Sequence, residues 1–465
     1  MTDFDRSTDA LRERIANMTP SALETLKELV RIPSVSWDGF DPKYVEASAE
    51  FVAERLRAVG LFDEVTIVRE QQATSSAYGQ PAVLARREPA PGYPTVLLYA
   101  HHDVQPPGDS AVWDSEPFEP EVRDGRLYGR GAADDKAGVL VHLTALEAIK
   151  EVLGNDLKIG LAMFIEGEEE FGSRSFTTIL DTHTRLLRSD VIVVADSDNR
   201  TVDIPSLTVS LRGNVAFSLT VSTLAHASHS GMLGGAVPDA MMAAMTLVSR
   251  LYNEDGSVAV PGLTSYSAPV PDFSHEELVH DSGLLDGVTA VGDGPILSKI
   301  WFQPAITITG IDAPSVQNAS NTLIPSVTIK VSVRVAPGQT AKDAWRAIRS
   351  HLELTAPWGA HLEFGAPDLG NAFLVDTTGS AVALELDALR DAWGGTDPVL
   401  AGVGGSIPFI ADLVTRFPDA QILVTGVEDP ASRAHSPNES LSLTVFERAI
   451  LAETLFLIRL NERDA

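Results

Sequence analysis

The chain has 465 residues, 44% of them hydrophobic, which suffices for a sizeable core and about two or three domains. Its 64 acidic residues outnumber 35 basic ones, and the formal charge of -29 repels nucleic-acid backbones and anionic membranes, so neither is an expected partner. Cysteine is absent, which excludes disulfides, thiolate ligands and a cysteine nucleophile and leaves any metal to histidines and carboxylates.

The opening stretch, MTDFDRSTDALRERIANM, is charged throughout and lacks the apolar centre of a signal peptide, so a cytoplasmic protein is expected. Residues 20 to 60 carry two amphipathic helical patterns, PSALETLKELV and YVEASAEFVAERLRAVG, separated by RIPSVSWDGFD. Strand-like runs follow at DEVTIV, PAVLARRE and TVLLYA. Helix and strand then alternate: DDKAGVLVHLTALEAIKEVL, KIGLAMFIEG, SFTTILDTHTRLL and DVIVVAD. That alternation implies an α/β catalytic domain with a mostly parallel sheet flanked by helices. Past Gly213 the strands alternate polar and apolar residues, as in NVAFSLTVST and SVTIKVSVRVAP, and each is followed by a helical pattern. Residues 213–372 are therefore expected to form an inserted α+β domain, with the catalytic domain divided between 1–212 and 373–465. The closing part supplies a helix at GSAVALELDALRDAWG, a strand at QILVTGV and a last helix from about Ser442 to Leu460.

The segment LLYAHHDVQPPGD raises the question of which histidine is functional. Side chains alternate along a strand, so His101 and Asp103 share a face and His102 points away, free to vary. Ligands of open α/β sheets bind beyond the C-terminal strand ends, and other fragments with ligand-type residues fall there. GRGAADDKAG brings Asp134 and Asp135, FIEGEEEFGS brings Glu166, Glu168, Glu169 and Glu170, VVADSDN brings Asp196, and GVEDPASRAHSPNE brings His435. Each alone has an ordinary explanation: a helix cap for the aspartates, a solvated turn for the glutamates, a loop histidine for His435. Together, Asp134, Glu169, Glu170 and Asp196 in one crevice would repel unless cations neutralised them. Two divalent metals about 3.5–4 Å apart, sharing a bridging carboxylate and activating water for hydrolysis, meet that requirement. Serine hydrolysis is set aside because no G-x-S-x-G elbow is present.

These fragments, with GRLYGRGAADDKAG, LRG, HSGMLGG, NTLIP, VRVAP and GGSIP in the same order, resemble the di-zinc peptidases that include carnosine dipeptidases, aminoacylases, carboxypeptidase G and succinyl-diaminopimelate desuccinylases. The resemblance runs from about residue 95 to 439. It implies His101 and Asp196 as ligands of one metal, Glu170 and His435 of the other, and Asp134 as the bridge, followed by a cis peptide to Asp135. It further implies Glu169 as general base and Asp103 as the acceptor orienting His101, and it gives Glu166 and Glu168 no catalytic role; Glu168 is expected to be a solvated loop charge. The inserted domain would be a lid and dimerisation domain whose His229 reaches a partner's active site. Arg334, Thr322, Gly405 and Ser406 would form the pocket for the substrate's free carboxylate. The implied cofactor is a pair of divalent ions, zinc favoured, with manganese or cobalt as alternatives.

The sequence departs from the dipeptidase pattern at Gly402 and Val403, where an Arg-Glu pair is common, at Ala227, where an acid is common, and at Asn321, where lysine is common. None is a metal ligand; all bear on the substrate. The expected enzyme is a homodimeric metallohydrolase of dipeptides with a free C-terminal carboxylate, with N-acyl amino acid deacylation as the alternative. A catalytically silent homologue is disfavoured because every ligand and the base are present.

Overall fold

The computed structural model describes residues 6–268, 270–404 and 408–462. The first helix, Thr8–Val30, begins where the Ser7 hydroxyl accepts a hydrogen bond from Ala10 N, and so starts a dozen residues before the expected position. Pro20 lies inside it. A helix-interior proline costs about 3 kcal/mol, but the buried stripe of Leu11, Ile15, Thr19, Ala22, Leu26 and Leu29 runs straight across it and offsets that cost. The second helix, Lys43–Val59, ends at Gly60, whose φ of 68° is the left-handed cap that glycine adopts without strain.

The chain divides into two compact units. One comprises the described residues of 1–209, 375–401 and 412–465. Its sheet runs in the order Glu64–Val68, Ala82–Arg87, Gly160–Glu166, Thr95–His101, Val191–Val194 and Gln421–Val424, continuing to Ser206–Leu211. The four strands from Gly160–Glu166 to Gln421–Val424 pair in parallel, and antiparallel neighbours flank them on both sides. Gly160–Glu166, Thr95–His101 and Val191–Val194 are buried along their full length, as strands covered on both faces must be. Helices Lys136–Leu153, Ser380–Ala392, Leu443–Glu462 and Thr8–Val30 pack on one another as a layer. The helix expected over 175–187 is two, Phe176–Thr182 and Thr184–Leu187, broken at His183, whose imidazole is 2.8 Å from Glu70.

The other unit comprises the described residues of 210–374 and 402–411. Its antiparallel sheet runs Ala305–Asp312, Ser326–Val335, Gly213–Ser222, His361–Phe364. Strict alternation along Gly213–Ser222 buries Val215, Phe217, Leu219 and Val221 against helices Ala240–Ser249 and Ala341–Thr355. The architecture is the mixed α/β fold with a largely parallel central sheet that the element pattern implied.

Candidate metal centre

Parallel pairing puts the C-terminal ends of four adjacent strands on one edge. His101 is the last residue of its strand and lies opposite Glu166 in register. Asp196 follows Val194 by two residues, Glu169 and Glu170 form a short turn beyond Glu166, and His435 sits in the loop after Val424. Asp134 occupies the turn entering helix Lys136–Leu153, and its peptide bond to Asp135 is cis.

Nε2 of His101 is 3.2 Å from Asp134 Oδ1 and 4.0 Å from Asp196 Oδ1. The second oxygen of Asp134 is 2.9 Å from His435 Nε2, which is 3.3 Å from Glu170 Oε2. The result is two groups of three, His101–Asp134–Asp196 and Asp134–Glu170–His435, each with its ligand atoms within 4.8 Å of one another and with Asp134 in common.

The chemistry of these groups fits cations. His101 is 1% exposed; its Nδ1 lies 3.1 Å from the Asp103 carbonyl and 3.4 Å from the Asp103 carboxylate. With the proton on Nδ1, the Nε2 lone pair faces carboxylate oxygens, and among the described residues the buried Nε2 has no hydrogen-bond partner. Two electron-rich faces turned on each other in a dry crevice are unfavourable unless a cation lies between. Burial, added to by neighbouring carboxylates, pushes Glu169 and Glu170 well above the ordinary carboxylate range and Asp196 up to about 6. Burial also opposes the charge of Asp134; without cations, only protonated imidazoles of His101 and His435 on its two sides hold it below the ordinary range, the positive charge that bound cations would otherwise supply.

Asp103 does more than face His101. Its carboxylate accepts hydrogen bonds from Glu169 N and Glu170 N, both 3.1 Å, and from Ser36 Oγ at 2.7 Å. Asp135 stands at the N-cap position of the following helix but makes no capping bond; it accepts instead from His101 N at 3.0 Å. Gly138 makes room for it, because a Cβ there would come 2.2 Å from Asp135 Oδ1 and 2.6 Å from Ala195 O.

Two expectations are corrected. His102 does turn away from the crevice, but it is fully buried, with Nε2 2.9 Å from Pro81 O, and burial holds its pKa down to about 4. It is a neutral core residue with a fixed partner, not a position free to vary. Glu168 is not a solvated charge: it is 1% exposed and accepts from Ser175 N, Ser175 Oγ, Gln80 N and Arg174 Nη2 at 2.5–3.2 Å. A carboxylate with four donors stabilises the turn that follows the glutamates, which no local pattern around residue 168 announces.

In the unit of 210–374 and 402–411, His229 and Thr322 are directly paired across the ribbon of Ser228–His229 and Thr322–Leu323. The His229 ring is exposed, and its Nδ1 accepts from Gly231 N at 3.0 Å. Arg334 lies in Ser326–Val335, opposite Ala305 on one side and Asn214 on the other. Gly405 and Ser406 lie outside the described residues.

The family model described as Peptidase family M20/M25/M40 matches residues 97–459. The chain belongs to that family. This peptidase is 34% identical over 449 residues to a cysteinylglycine-S-conjugate dipeptidase of Corynebacterium striatum, covering 95% of this chain and 96% of that protein. It is 29% identical over 465 residues to the Cys-Gly metallodipeptidase dug1 of Schizosaccharomyces pombe, covering 96% of each. Among solved structures, the dipeptidase Dug1p of Saccharomyces cerevisiae superposes with a TM-score of 0.78 at 25% identity, over 99% of this chain and all of that one. Human carnosine dipeptidase 1 shares the fold, with a TM-score of 0.75 at 23% identity over 98% and 99% of the two chains.

Two residues that support these candidate groups were not singled out from the sequence. Gln105 donates to Glu170 Oε2 from Nε2 at 2.6 Å and to Oε1 from its backbone at 3.1 Å. Ser36 reaches Asp103 from the loop between the first two helices, and no sequence signal marks it. Gln105 follows directly on the His-X-Asp-Val run, and that adjacency was the available clue. Among the described residues, no helix is long and apolar enough to cross a membrane.

Proposed function

We infer that this peptidase is a two-metal dipeptidase that hydrolyses the amide bond of dipeptides bearing a free C-terminal carboxylate. The observation that carries the reading is the pair of three-residue groups joined at Asp134, with Glu169 alongside. His101 and Asp196 would hold one ion, Glu170 and His435 the other, and Asp134 both. Bound divalent ions supply Lewis acidity to the scissile carbonyl and lower the pKa of water. Glu169, whose carboxyl burial holds high, takes the proton of the attacking water and returns it to the leaving amine. Asp103 fixes the His101 ring and the Glu169–Glu170 backbone at once. In the same reading, the inserted domain acts as lid and dimerisation domain, His229 stabilises the oxyanion from a partner subunit, and Arg334, Thr322, Gly405 and Ser406 receive the carboxylate. Zinc as the metal, a homodimer and cytoplasmic residence belong to this proposal.

The names of the similar proteins, dipeptidases of Cys-Gly and, at 26% identity over 442 residues, of Beta-Ala-His in Rattus norvegicus, favour dipeptides over N-acyl amino acids. The test is a panel of Cys-Gly, β-Ala-His, N-acetyl and N-succinyl amino acids with zinc or manganese added. Turnover of dipeptides is expected; turnover of acyl amino acids alone overturns the substrate assignment. Glu169→Ala should keep its metals and lose about 100- to 10,000-fold in kcat, and undiminished turnover would refute Glu169 as the base.

A further inference from the structure

The motif AHSPNE brings His435 to the crevice, and its last residue is the more deeply buried. Glu439 is 0% exposed. Its Oε2 accepts from Arg130 Nη1 at 2.6 Å and from Gly131 N at 3.1 Å; its Oε1 accepts from Ala133 N at 2.9 Å and from Asp134 N at 3.1 Å. Two bonds to backbone carbonyls run alongside: Gly129 N donates to Glu439 O, and the Arg130 side chain donates from Nη2 to Ser436 O at 3.4 Å. One carboxylate thus ties the loop that carries His435 to the turn that carries Asp134.

That tie addresses a local problem. Arg433, His435 and Asn438 have φ of 56°, 61° and 62°, left-handed conformations that cost non-glycine residues and persist only where surroundings enforce them. The His435 side chain is 59% exposed, so packing against its ring does little to hold it. His101 and Asp196, by contrast, stand at the ends of buried strands.

We propose that Glu439 is a positioning residue that sets the separation of Asp134 and His435 and thereby the affinity of the Asp134–Glu170–His435 group for its cation. The inference rests on the two-metal reading above. Removing the Glu439 charge turns an amide donor toward Ala133 N and Asp134 N, which are themselves donors, and frees two of the three ligands in that group. The His101–Asp134–Asp196 group keeps two of its three ligands on strand ends and is affected less.

The experiment is a calorimetric titration of metal-free protein with Zn2+ and with Mn2+, comparing wild type with Glu439→Gln, together with melting of the metal-free proteins. Because Glu439→Gln leaves the buried Arg130 charge unpaired, the double variant Arg130→Met, Glu439→Gln is measured beside it and stands in if the single variant does not fold. Two sites are expected in the wild type, and one of them is expected to weaken about 10- to 100-fold in the variant, the scale of lost outer hydrogen bonds to metal ligands, with the other changing less. A lowered melting temperature with both metal affinities unchanged would make Glu439 merely structural and overturn the proposal, as would equal weakening of both sites. Absence of two sites in the wild type would instead refute the two-metal reading.

Discussion

Glu385 offers a test of the protein's interior that is independent of its metals. It lies on helix Ser380–Ala392, 3% exposed, where that helix packs on Leu443–Glu462. It lines a small cavity of about 20 Å³ with Glu453, Asn199 and Trp393. Its charged neighbours on the facing helix are Glu453 and Arg459; Glu453 is already paired with His142 at 2.8 Å, and Arg459 bonds Asp391. Burial first, and the Glu453 charge second, push the Glu385 carboxyl up to about 8 from an ordinary 4.5. The folded protein therefore keeps a proton through the window from 4.5 to 8 that the unfolded chain has released, so stability falls as pH rises across that window. At about 1.4 kcal/mol per pH unit, the distance from 4.5 to neutrality amounts to about 3 kcal/mol. Glu385→Gln is neutral at every pH and nearly isosteric, and removes the penalty. Calorimetric melting at pH 4.5 and pH 7 should show the variant close to wild type at the lower pH and several degrees more stable at the higher. An equal shift at both pH values, or none at pH 7, would refute the reasoning.

His102→Ala should leave metal content intact while costing about 2–4 kcal/mol, because it opens a cavity beside Pro81 and removes that carbonyl's donor; an unchanged melting temperature would count against the buried role. Asp103→Asn provides one acceptor oxygen where the Glu169 and Glu170 amides and the Ser36 hydroxyl now share two. Turnover should fall about 10- to 100-fold, and full activity in steady-state assays would show that this grip is dispensable.

Much of the fold could be read in advance because one period governs each element. Full burial of Thr95–His101 and Gly160–Glu166 matches their uninterrupted apolar runs, and the alternation of Gly213–Ser222 matches its one-sided burial. The crevice was legible for a related reason: parallel strands deliver their last residues to one edge, so His101, the glutamates, Asp196 and His435 were already grouped by position. What local pattern could not convey were partners distant in the chain. Glu168 reads as solvated until Gln80 and Ser175 are brought against it. His183, where the helix breaks, finds its partner in Glu70, more than a hundred residues earlier. Pro20 reads as a helix start, and only the buried stripe on both sides of it shows that the helix continues through.

The interrupted course of the larger unit also sets an order of assembly during synthesis. Strand Val191–Val194 waits for Gln421–Val424 as its parallel neighbour, and helix Lys136–Leu153 waits for Leu443–Glu462. Roughly 250 residues separate Val194 from the start of that last helix, which at ribosomal rates of about 5–20 residues per second is about 12–50 s. During that interval the sheet Gly213–Ser222 with Ser326–Val335 already has both strands available to close on its own helices. The nascent chain therefore holds the paired strands and helices of its insertion while apolar strands on its amino-terminal side still lack their cover. This is the stage at which chaperone capture or aggregation would act on it.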